Sequence, residues 1–208
     1  MRQCAKVPPH YARRAQGYGS LAGQKVKSDV TDKMVLEQIF QEAGLTDYRW
    51  IDPREIVVEE WVRFKCVWGC TSYGHRVNCP PNQPPVAECE RFVRGYTTGA
   101  VFHFSRLIST DAENEEWTRP LNDTLYEVER KAFLAGCYKA FALYPENCSL
   151  CKICAGSKTE CRNRMKSRPG PDSLGIDVYA TVRKLSYPIQ VVPERGHVVN
   201  RYGFVLVE

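Results

Sequence analysis

The spacing of apolar positions changes several times along the chain, and each change marks an element. Met34, Leu36, Ile39, Phe40 and Ala43 recur at near-helical steps, and Gly44 is placed to end that helix. Tyr48–Asp52 reads as a strand. Ile56–Lys65 reads as another, because Glu60, Val62, Phe64 and Cys66 share one parity while Trp61, Arg63 and Lys65 share the other, which sets Cys66 at a strand end. Val86, Cys89, Phe92, Val93 and Tyr96 form a helical stripe. Ala100–Ser105 reads as a buried strand, with His103 between two phenylalanines as a structural residue. Residues 106–121 are polar and irregular. A long helix is expected over Asn122–Leu143, with Leu125, Val128, Ala132, Phe133, Ala135 and Ala140 on its buried side. Asp177 is placed to cap a short helix lined by Val178, Val182 and Leu185. Ile189–Val192 and Tyr202–Val207 are the last expected strands.

Strands alternating with helices predict the α/β class. The expectation is one compact layered domain over 29–208, with a mixed sheet, flanking helices and two cysteine-rich metal-binding loops. Residues 1–28 combine Pro8, Pro9, Gly17, Gly19 and Gly23 with scattered cations and no periodicity, and read as an irregular N-terminal arm.

Composition narrows the setting. Hydrophobic residues at 43% and charged residues at 25% of 208 are those of a soluble globular protein. No apolar run approaches the ~18 residues that span a bilayer, so no membrane partner is expected. The N-terminal segment MRQCAKVPPHYARR is basic but lacks the apolar core of a secretory signal. The expected compartment is therefore the reducing cytoplasm, where clustered thiols among ten cysteines mean metal or redox chemistry rather than disulfides.

Two loops carry that chemistry. Cys148, Cys151, Cys154 and Cys161 read C-x2-C-x2-C-x6-C. Three thiolates at successive three-residue steps wrap a loop around one point, as in the opening run of bacterial ferredoxins. An iron–sulfur cluster is the favoured occupant; zinc is the alternative, although zinc usually takes pairs of such steps from two separate knuckles. Upstream, Cys66, Cys70 and Cys79 lie in KCVWGCTSYGHRVNCPP, stiffened at its exit by Pro80 and Pro81. This C-x3-C-x8-C spacing matches no common zinc knuckle. It suits a three-thiolate cluster with one iron open, or one closed by His75 or a further cysteine. Cys89 sits mid-stripe on an apolar face and reads as core, with a fourth-ligand role as its alternative. Cys137 reads as packing, with Gly136 beside it permitting close approach.

The segments EEWVRFKCVWGCTSYGHRVNCPP and CSLCKICAGSKTECRNRMKSRPGPDSLGIDVYATVRKL together resemble the two signatures of a family of predicted metal-binding proteins of unknown function, cysteine-rich and associated with iron–sulfur clusters. The resemblance spans roughly residues 56 to 207. It implies ligand roles for Cys66, Cys70, Cys79, Cys148, Cys151, Cys154 and Cys161. Members often have proline soon after the last of these cysteines, whereas Arg162 and Asn163 follow Cys161 here.

The functional expectation is electron transfer through a [4Fe-4S] cluster on the C-terminal loop, with a second cluster on the upstream trio and a redox partner protein. An enzyme or maturation factor using an open iron site is the alternative, with His75 and Arg76 as acid–base or anion-binding candidates; a zinc-binding structural module is the other. The formal charge of +5 would be largely offset by two loaded clusters, so nucleic acid is not an expected partner. The run from Arg162 to Arg168 reads as a solvated basic loop or a docking face for an acidic partner. No G-x-G-x-x-G, Walker A or G-x-S-x-G pattern is present. The oligomeric state is not legible.

Overall fold

The computed structural model describes residues 29–192 and 196–208. Val35–Glu208 form one compact unit; of the other, Met1–Met34, only residues 29–34 are described. The arm expected over 1–28 lies outside the described residues. The elements are α1 (Asp29–Glu42), β1 (Tyr48–Ile51), α2 (Glu60–Gly69), α3 (Val86–Arg94), β2 (Gly99–Ile108), α4 (Asp111–Leu134), β3 (Phe141–Leu143), α5 (Val178–Lys184) and β4 (His197–Leu206), with short 3-10 turns at Pro53–Glu55 and Asp172–Leu174.

The four strands form one sheet in the order β1-β2-β4-β3. Tyr48 pairs with Phe102, His103 with Tyr202 and Leu143 with Phe204. The layered α/β class holds, and every pairing in its sheet is antiparallel rather than of mixed direction.

Strand parity divides the core into two layers. Ala100, Phe102, Ala142 and Val205 face Leu36, Ile39 and Phe40 of α1 and Leu125, Val128 and Ala132 of α4. Val101, Leu143, Phe204 and Leu206 face Cys89 and Val93 of α3 and Val182 of α5. Gly203 permits the close seat of α4, since a Cβ there would lie 2.4 Å from Leu125 Cδ1.

Three expectations are corrected. Ile56–Lys65 does not form a strand: only Val58 bridges, to Ile176, and the helix α2 begins at Glu60. Val62 is the buried residue of α2, whereas Trp61, Phe64 and Trp68 are exposed, and their 3- and 4-residue steps trace one helical face that two-residue parity concealed. Glu59 and Glu60 also suit a helix N-terminus. Cys66 is therefore helical.

The long helix starts at Asp111 rather than Asn122, because Thr110 and Glu113 form a capping box. Pro120 lies within it, and Thr124 Oγ1 donates to the Pro120 carbonyl at 2.9 Å. It ends at Leu134, where Gly136 adopts φ 111°, so Phe141–Leu143 are free to pair with β4.

Ile189–Val192 is irregular; the last strand instead spans His197–Leu206 and pairs along all of β2. His103 is structural, with Nδ1 2.7 Å from Asp47 Oδ2 and Nε2 2.8 Å from Asn200 Oδ1.

Candidate metal centre

The second cysteine loop leaves the sheet from β3 and returns against it. Tyr144 donates its N–H to the Pro169 carbonyl at 2.9 Å, closing the base of the loop. Within the loop, Arg119 Nε donates to the Ser149 carbonyl at 3.0 Å, and Asn122 Nδ2 donates to Ser149 Oγ at 3.0 Å. Both donors belong to the N-terminal half of α4, Arg119 in the stretch ahead of the expected start at Asn122. The chain thus folds locally around a polar anchor rather than around regular structure.

Cys148, Cys151, Cys154 and Cys161 are all partly buried and all line one cavity, together with Val77, Asn78, Asn163 and Ser167. The cavity is small, about 20 Å³. Donors point at three sulfurs: Asn163 Nδ2 at 3.0 Å from Cys151 Sγ, the Val77 N–H at 3.4 Å from Cys154 Sγ, and Ser167 Oγ at 3.8 Å from Cys148 Sγ. Burial pushes the Cys148 thiol above its ordinary pKa; the Leu150 N–H and Ser167 oppose this, and the neighbouring Cys154 and Cys161 reinforce it.

The two cysteine loops meet. Arg76 donates to the Cys148 carbonyl at 3.0 Å, and buried Asn78 donates to Ser167 Oγ at 2.6 Å and to the Arg168 carbonyl at 2.8 Å. Asn82 donates to the Gly156 carbonyl at 3.3 Å. The cations of the basic run are engaged within the protein, although Arg162 and Arg164 remain exposed. Arg162 and Arg164 brace carbonyls of their own loop at Ile153, Lys158 and Thr159. Lys166 pairs with Asp123, and Arg168 with buried Glu129.

In the first loop, Cys66 lies in the last turn of α2, Cys70 caps that helix, and Cys79 is buried after a series of turns. Burial pushes the Cys66 thiol up to about 11, with Asp172 and Cys70 adding to it. Burial likewise pushes Cys79 up to about 12, again with Asp172, Cys70 and Cys66 adding to it. The three thiols and Asp172 therefore share one electrostatic neighbourhood. Cys66, Cys70 and Asp172 also line a cavity of about 760 Å³, along with Trp61, Lys65 and Arg201.

His75 is exposed and lines neither cavity. Cys89 is 2% exposed in the core, with Sγ 3.5 Å from the Pro84 carbonyl, and Cys137 is also buried. Asp172 and the sulfur donors Asn163, Ser167 and Val77 escaped the sequence reading; the two polar side chains do lie inside or beside the basic run, but only the fold aims them.

A model of the family described as predicted metal-binding protein (DUF2284) matches residues 49–207. The chain belongs to this family. Its description gives metal binding and no particular metal. The match takes in both cysteine loops and the sheet from Arg49 onward. No curated protein and no solved structure matches the chain. Among the described residues, no group of three or more His, Cys, Asp or Glu side chains is drawn together tightly enough to hold a metal ion in this arrangement, and no helix is long and apolar enough to cross a membrane.

The donor chemistry nevertheless fits an iron–sulfur group: soft thiols, N–H and O–H donors aimed at sulfur, and Arg76 and Arg162 nearby to offset negative charge.

Proposed function

We propose that this protein transfers electrons, holding a [4Fe-4S] cluster on Cys148, Cys151, Cys154 and Cys161 and a second cluster on Cys66, Cys70 and Cys79. The observation that carries the reading is the single cavity lined by four cysteines, three of whose sulfurs receive donors. Such donors favour the more negative, reduced state of a cluster and tune its potential.

When bound, the cluster supplies a reversible one-electron site. The chain's own residues would seat it beside Leu150, which packs against the core, and aim N–H and O–H groups at its thiolates. The contact between the loops supports a reading in which two clusters would be neighbours, which suits a relay to a redox partner protein in a reducing, cytoplasmic setting.

A second reading, an enzyme with an open iron, draws on the cavity of about 760 Å³ that Cys66 and Cys70 line. Cys151→Ala, purified without oxygen and reduced, separates the sites. Loss of one of two EPR signals supports the electron-transfer reading; an unchanged spectrum contradicts it.

A further inference from the structure

A separate cavity, of about 720 Å³, opens between α3, β3 and the second cysteine loop. Its size is that of a small-molecule site, which is concave, mostly apolar and furnished with a few polar groups. Pro84, Phe92, Phe141, Pro169 and Leu174 supply apolar wall. Val77, Asn78, Cys161 and Ser167 line both this cavity and the smaller one that the four cysteines share. An occupant would therefore lie beside the second cysteine site.

Two features of the walls narrow the choice of ligand. The first is an aromatic pair. Phe92 of α3 and Phe141 of β3 meet edge to face, with ring centroids 5.1 Å apart. Phe141 is held by strand pairing with Leu206 and by the Arg168 guanidinium, 5.4 Å from its ring centre. Phe92 packs on Tyr96 at 5.4 Å and remains 37% exposed. A ring already held in an edge-on pair still offers surface to a further flat, apolar body.

The second feature is charge. Lys158 and Arg164 line the cavity, and among the described residues Glu88 is the one carboxylate that does. Glu88 lies in the first turn of α3, where the helix N-terminus already favours a negative charge. Arg164 donates through Nε to the Lys158 carbonyl at 3.0 Å and through Nη2 to the Thr159 carbonyl at 2.7 Å, which fixes its guanidinium on the loop. Among the described residues, no hydrogen bond or ion pair takes up its Nη1 or the Lys158 ammonium. A guanidinium held in this way meets an anion at little further entropic cost.

We infer that this cavity binds a small aromatic carboxylate, with its ring against Phe92 and Phe141 and its carboxylate met by Lys158 and Arg164. The inference goes beyond the electron-transfer reading and does not require it, since none of these contacts is made by a metal.

The test is isothermal titration calorimetry of the full chain, purified without oxygen, with 2-naphthoate and with its neutral counterpart 2-naphthalenemethanol. The expected result is saturable binding of 2-naphthoate at one site and weaker binding of the alcohol. Both cations are exposed, so Arg164→Gln and Lys158→Gln should each weaken 2-naphthoate by about fivefold and leave the alcohol unchanged. Phe92→Ala should weaken both ligands. Far-UV circular dichroism of each variant confirms that it is folded. Absence of saturable 2-naphthoate binding, equal affinity for acid and alcohol, or full affinity in both charge variants overturns the inference. Iron and sulfide counted on the same samples keep the cluster reading separate: a protein with its full metal and no bound 2-naphthoate contradicts the ligand site alone.

Discussion

The backbone N–H of Val77, in the first cysteine loop, lies 3.4 Å from Cys154 Sγ in the second. One loop thus supplies part of the other's environment, and changes made to either should be felt by both.

Asn163 gives the clearest test of the sulfur donors, because its Nδ2 lies 3.0 Å from Cys151 Sγ. Asn163→Leu removes that donor with little change in size. A donor to a thiolate is worth more to the reduced cluster than to the oxidised one. If the difference is about 1 kcal/mol, the one-electron potential falls by roughly 40 mV. Potentiometric EPR titration checks both sign and size.

Asn78 holds the loops together through Ser167 and Arg168 while 6% exposed. Asn78→Ala leaves the Arg168 carbonyl without this donor, at a cost of about 1–3 kcal/mol. Denaturant unfolding should show that loss, and iron should leave the second loop faster under a chelator than in the unaltered protein.

Glu129 is buried, and besides Arg168 it accepts the Ala142 N–H at 2.7 Å. Arg168→Met strands this carboxylate without its cation, an effect of about 3–5 kcal/mol. Thermal unfolding should show a large drop, and Glu129→Gln in the same protein should restore part of it.

The upstream thiols give a pH signature. Their folded pKa values, about 11 for Cys66 and about 12 for Cys79, lie above the ordinary value of 9.0, first through burial and then through Asp172. The folded metal-free protein keeps these protons after the unfolded chain has lost them. Stability from this source is intact below pH 9 and declines as pH rises towards 12. Urea midpoints of the metal-free protein should stay flat to about pH 9 and then fall. In the loaded protein the thiols are already deprotonated, so their share of the fall should vanish, leaving the part due to Tyr144, Tyr187 and Tyr202, whose pKa values burial also raises.

Features set by near neighbours were legible in the sequence. The C-x2-C-x2-C-x6-C run marked the second loop, the stripe through Val93 put Cys89 in the core, and Asp177 capped α5, accepting from the Ala180 N–H at 2.9 Å. The strand expected at Ile56–Lys65 failed because an exposed aromatic helix face carries no burial contrast, so alternation and helical spacing fit equally well. The start of α4 was hidden by Pro120 and by a first turn stabilised through capping rather than through apolar contacts. Asp172 could not be found at all, since its relation to Cys66 and Cys79 exists only once the 3-10 turn packs on α2.

The central claim is that both cysteine loops carry iron–sulfur clusters, and the most direct test is to count metal and sulfide on the protein purified without oxygen, with EPR of the reduced form alongside. The account predicts about eight irons and matching sulfide per chain, with two interacting paramagnetic centres. Stoichiometric zinc without sulfide, in a colourless and EPR-silent protein, would contradict it.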